Sequence, residues 1–254
     1  MVPKAQGRGT ATPTASNPPR SRRGEETRAK LVKAAKATFE RDGFLDARIS
    51  DIAKRAKLSY GAFYHYFDSK EQIFREVAEA QEERLTAPLD DGEGVPAGDS
   101  PYERIREANR RYLQRYRTEA KIMGVIEQVS RYDAHVNAAR MASQKHFAER
   151  SERSIKRLQG QGLADHRVDP AIAADALGSM IARLAELWLT QGYREYDFDE
   201  AVDQLSLLWA NAIGLDTSGG TAASGNSKAA ARRRAPVGAA TKRAAATVRS
   251  DSTG

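Results

Sequence analysis

Apolar residues recur at helical spacing through most of this chain. Leu31, Ala35 and Phe39 fall at i, i+4 and i+8 with Val32 beside them, while Lys30, Lys33 and Lys36 lie off that stripe. The pattern predicts an amphipathic helix over about Glu25–Arg41. Gly43 is placed to stop it as a left-handed cap, and Phe44 to pack back into a small core. A second helix is expected over about Ile49–Ala56, with Ile52, Ala53 and Ala56 inward. After a Lys57-Leu58 turn, Ser59 is a good N-cap for a short helix from Tyr60 to about Tyr66, because its hydroxyl can accept a free backbone N–H. Asp68 with Glu71, or Ser69 with Gln72, forms a capping box for a fourth helix that runs through Ile73, Phe74 and Val77 to about Leu85.

Pro88 to Ser100 is polar and rich in Gly and Pro, and reads as a break. Ser100-Pro101-Tyr102-Glu103 restarts helix with an N-cap, a proline in the first turn and an acid three residues after the cap. Further helices are expected over about 101–117, 119–131, 134–160, 170–191 and 198–213. Asp133, Asp169 and Asp197 are candidate N-caps, and Gly160, Gly162, Gly192 and Gly214 candidate closures. No stretch alternates with period two between turns, so the fold class is all-α. The expected division is a basic arm without fixed structure (1–24), a small helical head (25–70), a larger helical body (71–215) and a basic tail (216–254).

Charge sharpens that division. The chain carries a net +7, yet residues 1–23 and 216–254 each hold a net +5. The body proper is therefore acidic, while residues 24–70 keep a net +3. A basic head on an acidic body fits a polyanion at the head, although ordinary surface charge would look similar over so short a segment. The ends are too poor in apolar residues to offset ordering entropy. They could assist binding to a polyanion or simply solubilise the chain. There is no cysteine, which removes disulfides, thiolate metal sites and cysteine nucleophiles. No segment reads as a secretory leader or a membrane span, so a soluble cytoplasmic protein is expected.

The chemistry concentrates between Ser50 and Phe74. A helix-turn-helix lays its second helix in the major groove, and that helix needs a small or polar N-terminal end for its backbone to approach DNA. Ser59, Tyr60, Gly61 and Ala62 meet this need. Phe63 and Phe67, four apart, share one face and should plug the core. Tyr60, Tyr64 and His65 are left for DNA, with hydroxyls for phosphate and ring edges for thymine methyls. Tyr66 could support the fold or touch phosphate. Lys70, in the first turn of the fourth helix, is placed to meet a phosphate.

Taken together, Phe39, Gly43, Asp51-Ile52-Ala53, Ala56, Ser59, Gly61, Phe63-Tyr64, Tyr66-Phe67 and Lys70-Glu71 resemble the DNA-binding domain of TetR/AcrR-family transcriptional regulators over about residues 25–77. The resemblance implies a three-helix head, a divergent helical body, a homodimer and usually a small effector in the body. Two positions depart from the pattern. Arg48 replaces the Ser or Thr that would cap the second helix, a loss of about 1 kcal/mol that a phosphate contact could offset. Lys57 stands where Gly is common, so the turn must take a positive φ or relax.

In the body, the helices around Ile172–Leu189 and Ala201–Ile213 are apolar on more than one face. Leu184, Trp188, Leu205, Leu208 and Trp209 are thus candidates for a four-helix dimer interface, the rival reading being burial within one subunit. Tyr112, Tyr116, Met123, Met141, Phe147 and Met180 are candidates to line a pocket for an apolar small-molecule effector, against ordinary core packing. The four histidines lack metal-ligand spacing and no catalytic signature occurs, so neither metal, cofactor nor enzyme activity is expected. The function expected is a homodimeric repressor released from a palindromic double-stranded operator by a small effector. The alternative is a dimeric binding or scaffold protein of the same fold without operator specificity.

Overall fold

The computed structural model describes residues 21–87 and 100–217. The expectations for the polar break and for most of both basic ends concern residues outside these ranges. The described residues form helices α1 (Arg22–Asp46), α2 (Ile49–Arg55), α3 (Tyr60–Phe63), α4 (Lys70–Thr86), α5 (Pro101–Thr118), α6 (Ala120–Ser130), α7 (Ala134–Gly160), α8 (Pro170–Ala185) and α9 (Phe198–Ala212). The fold is all-α.

Local chemistry sets the boundaries. Ser59, Ser69, Ser100, Asp133, Asp169 and Asp197 each accept a backbone N–H at the start of the helix they precede. Helix α1 begins three residues before the expected start, because Ser21 accepts from the Gly24 amide. Gly43 breaks its helical path at φ 72°. At the end of α2, Lys57 takes φ 59°, and the Leu58 amide donates to the Ala53 carbonyl at 2.9 Å, closing the helix in a Schellman-type turn. Helix α3 is shorter than expected: it ends at Phe63, and Tyr64–Tyr66 form a turn in which the Tyr66 and Phe67 amides both donate to the Phe63 carbonyl.

The head core is built from Leu31, Phe39, Ile52, Phe63, Phe67, Ile73 and Phe74, all fully or nearly fully buried. The Phe74 ring meets Phe39 and Phe44 edge-on, each at 4.9 Å between centroids. A division at 70/71 therefore cuts through the head's core. The first two turns of α4 complete that core, while its last turn lies in the body. Two polar clasps join the same regions. Arg75 on α4 grips the Asp133 carboxylate at 2.9 and 3.1 Å, and Lys36 on α1 reaches Glu119 ahead of α6 at 2.6 Å. In the body, α7 packs along α4 and α8, and α9 along α5.

After Ala185, α8 widens into a π-helical turn over Glu186–Thr190. Gly124 on α6 faces this turn closely, for a Cβ there would stand 2.7 Å from Thr190 Cγ2. No helix among the described residues is long and apolar enough to cross a membrane.

Candidate nucleic-acid interface and body cavity

The head presents one aromatic face outward. Tyr60 and Tyr64 are 56% and 44% exposed. Their rings meet edge-on at 5.3 Å and their hydroxyls hydrogen-bond at 2.9 Å. That bond pushes the Tyr64 hydroxyl's pKa up. Gly61 is exposed, with open space where a Cβ would sit. A groove wall can therefore come against its backbone. Ser59 is exposed, and its Oγ is engaged by the Ala62 amide at 3.1 Å. His65 is exposed in the turn after α3. Arg48 is exposed and leaves α2 without a side-chain cap. At the other end of α2, Lys54 and Lys57 are also exposed, and none of the three makes an ion pair among the described residues.

Two of the expected DNA contacts have other work. The Lys70 ammonium donates to the carbonyls of Phe44, Leu45 and Ala47 at 2.7, 3.0 and 3.1 Å, and lies 4.7 Å from the centre of the Phe44 ring. All three of its donors are used on the segment that follows Gly43, so it positions the head rather than clamping phosphate. Tyr66 is half-buried and packs against the core, where it supports the fold. Phe63 and Phe67 are core plugs, as expected.

The body holds a cavity of about 460 Å³ between α4, α5, α7 and α8. Tyr112, Tyr116, Met123, Met141 and Phe147 line it, whereas Met180 packs against the core outside it. The lining is not purely apolar: Glu82, Arg140 and Glu186 share the walls. Glu82 is 6% exposed, and its Oε1 has no hydrogen-bond partner among the described residues. The Arg140 guanidinium stands 3.7 Å from that oxygen, while it donates to the Ser130 hydroxyl at 2.8 Å. Burial pushes the Glu82 carboxyl's pKa up, against the pull of Arg140 and Ser143. Burial likewise pushes up the Tyr112 hydroxyl. Sequence reasoning missed this polar lining. The readable signal was Gln81 and Glu82 standing on the α4 stripe between Val77-Ala78 and Leu85.

Helix α4 touches both regions and is fixed at both ends. Lys70 anchors its start, and at its end the carbonyls of Ala87, just past the helix, and Thr86 accept from Arg115 of α5 and Arg150 of α7 at 2.9 and 3.0 Å.

The candidate interface residues divide. Leu205 and Trp209 are buried in the subunit's own core, because they share the inward face of α9 with Val202 and Ser206, and Ser206 accepts from Asn109 of α5 at 3.0 Å. They are not surface residues. Trp188 is half-buried against Tyr196 and Phe198, and Leu184 is half-buried on the core. Leu208 is 54% exposed, and Ile172, not foreseen, is 71% exposed.

A helix-turn-helix with an open aromatic face and basic residues that make no ion pair among the described residues, carried on a helical body with a cavity, has the build of a DNA-binding regulator. Residues 31–77 match the family model described as "Bacterial regulatory proteins, tetR family". Among curated proteins, the chain is 27% identical over 176 residues to the "Uncharacterized HTH-type transcriptional regulator YdgC" of Bacillus subtilis, covering 68% of this chain and 86% of that one. It is 38% identical over 60 residues to the "HTH-type transcriptional repressor NicS" of Pseudomonas putida, 24% of this chain and 28% of that one. Among solved structures, the fold is like that of the fatty acid degradation regulator FadR from Bacillus halodurans, with TM-score 0.60, 15% identity, and coverage of 72% and 94% of the two chains. Residues 31–77 thus match a DNA-binding domain of the tetR type, and the fold of the described residues is that of TetR-family regulators.

Proposed function

We propose that the protein is a homodimeric, cytoplasmic repressor that leaves a palindromic operator when a small effector fills the body cavity. The observation that carries this reading is α4, which completes the core of the reading head with Phe74 and lines the cavity with Glu82, Leu85 and Thr86. A ligand that displaces the last turn of α4 would shift the packing of α4 on α1, on which the head's core is built. Two heads held one helical turn apart, or a multiple of it, would then lose register with their half-sites. The coupling requires only that the ligand bind the DNA-free arrangement more tightly.

Each head would set Tyr60, Gly61, Tyr64 and His65 against base edges, with Arg48, Lys54 and Lys57 on the flanking phosphates. The dimer would form through the outward sides of α8 and α9, where Ile172 and Leu208 leave apolar surface open and Leu184 and Trp188 border it. The division between regions would fall after α4 rather than before it.

A gel-shift titration with a palindromic fragment from upstream of the gene tests the reading. Salt-sensitive, sequence-preferring binding by a dimer supports it. Equal affinity for unrelated DNA would instead favour the scaffold alternative.

A further inference from the structure

The cavity's own chemistry narrows what fills it. Its walls carry three aromatic rings, Tyr112, Tyr116 and Phe147, with Tyr112 6.2 Å from Tyr116 and 6.1 Å from Phe147 between centroids. Against them stands the Glu82 carboxylate, buried and with an oxygen that has no hydrogen-bond partner among the described residues. A buried acceptor left unmade is a standing cost that a ligand donor can remove. The second buried carboxylate, Glu186, is already served by Arg183 at 2.5 Å and Gln191 at 2.9 Å. The π-helical turn that begins at Glu186 brings it to the same cavity.

We propose that the cavity takes an amphipathic organic amine: an aromatic or aliphatic body seated among Tyr112, Tyr116, Phe147 and Met123, with one protonated nitrogen donating to Glu82. This inference rests on the effector-cavity reading above and names the ligand's charge.

A cation over aromatic faces gains a further attraction from the ring quadrupoles. A carboxylate ligand is disfavoured. Its natural partner, Arg140, is shared with Glu82 and Ser130, and a second anion would stand beside the first in a desolvated site. The raised pKa of Glu82 agrees with a carboxylate that lacks a full partner until the amine arrives. The cavity reaches the surface at Met141, Lys145 and Asp175, which are exposed and give a route of entry.

The test uses the full chain and three probes that share one body: 4-phenylbutylamine, 4-phenylbutanol and 4-phenylbutyrate, titrated by calorimetry. The amine is expected to bind at least tenfold more tightly than the alcohol, with the carboxylate weakest. Glu82→Gln should lower amine affinity about tenfold and leave the alcohol unchanged. Glu82→Asp, which keeps the charge but draws it back, should give an intermediate loss. It also serves as the readout should the amide variant fail to fold. Equal affinity of amine and alcohol, a preference for the carboxylate, indifference to both substitutions, or no binding by any probe would overturn the proposal. Release of operator DNA is scored separately. Amine binding without release would remove the effector role and leave the ligand chemistry standing. Release by a ligand that ignores Glu82 would do the reverse.

Discussion

The reading head and the body cavity both hold charge, but in opposite states. Arg48, Lys54 and Lys57 stand in water without ion-pair partners among the described residues, so they cost nothing to keep and remain available to an anion. Glu82 is held out of water, 3.7 Å from Arg140 and without a full hydrogen-bond set. An unsatisfied buried group of this kind costs about 1–3 kcal/mol. The head's charges are tuned for a polyelectrolyte whose binding follows salt. The cavity's, on the reading proposed above, would serve one small partner whose binding follows geometry. The contrast shows that net charge alone is a poor guide to function, since solvation decides which charges can act.

The largest expected effect tests whether the two regions are separate at all. Phe74→Ala removes a ring packed on Phe39 and Phe44, and should cost about 3–5 kcal/mol. Thermal unfolding followed by fluorescence and by circular dichroism should then move as one transition. A lost head with an unmoved body transition would make the regions independent.

Next, Lys70→Met should destabilise the protein by about 2 kcal/mol through the loss of charge-assisted hydrogen bonds to three carbonyls. The salt slope of DNA binding should stay where it was. A slope reduced by about 0.9 would return Lys70 to the phosphate clamp.

Arg48→Ser should act with opposite signs on the two properties. It restores a side-chain cap to α2 and so raises stability by about 1 kcal/mol. It also removes a free cation, weakening DNA binding and reducing the salt slope by about 0.9. Stability and affinity rising together would refute the assignment of Arg48 to phosphate.

The smallest effect concerns pH. Burial raises the Glu82 pKa, so its contribution to stability is present below the unfolded carboxyl value and is lost as pH rises through the folded value. Wild type should therefore lose ground relative to Glu82→Gln as pH rises from the ordinary carboxyl range toward neutrality. Melting curves across that range check it, and a constant difference would place Glu82 in contact with water. Glu76 is also pushed up by burial but is common to both proteins, so the difference isolates Glu82.

Much of this was legible in the residues. Ser59, Ser69, Asp133, Asp169 and Asp197 announced their helices because capping is local chemistry. Phe63 and Phe67 were readable as plugs from their spacing, and five of the six cavity residues from their size and polarisability. The rest needed three dimensions. Lys70 looks like a phosphate ligand along the chain, and only the fold brings the carbonyls of Phe44, Leu45 and Ala47 under its ammonium. Leu205 and Trp209 looked like interface because α9 is apolar on a wide arc; which side of the arc meets α5 is decided by Asn109 and Ser206. Met180 sits beside Ile181 in sequence, yet one residue of helix turns it out of the cavity.

Helix α4 also bears on how such a chain could be taken apart and recombined. A transplant that joins this head to a foreign body at Lys70 would leave Ile73 and Phe74 behind, and the head would lack half of its inner wall. A junction after Thr86 keeps that wall, but it carries Glu82 along with the DNA-reading unit. If the cavity takes the effector proposed above, DNA reading and effector preference would be inherited together, and a chimera made here would bring a piece of that preference into its new host.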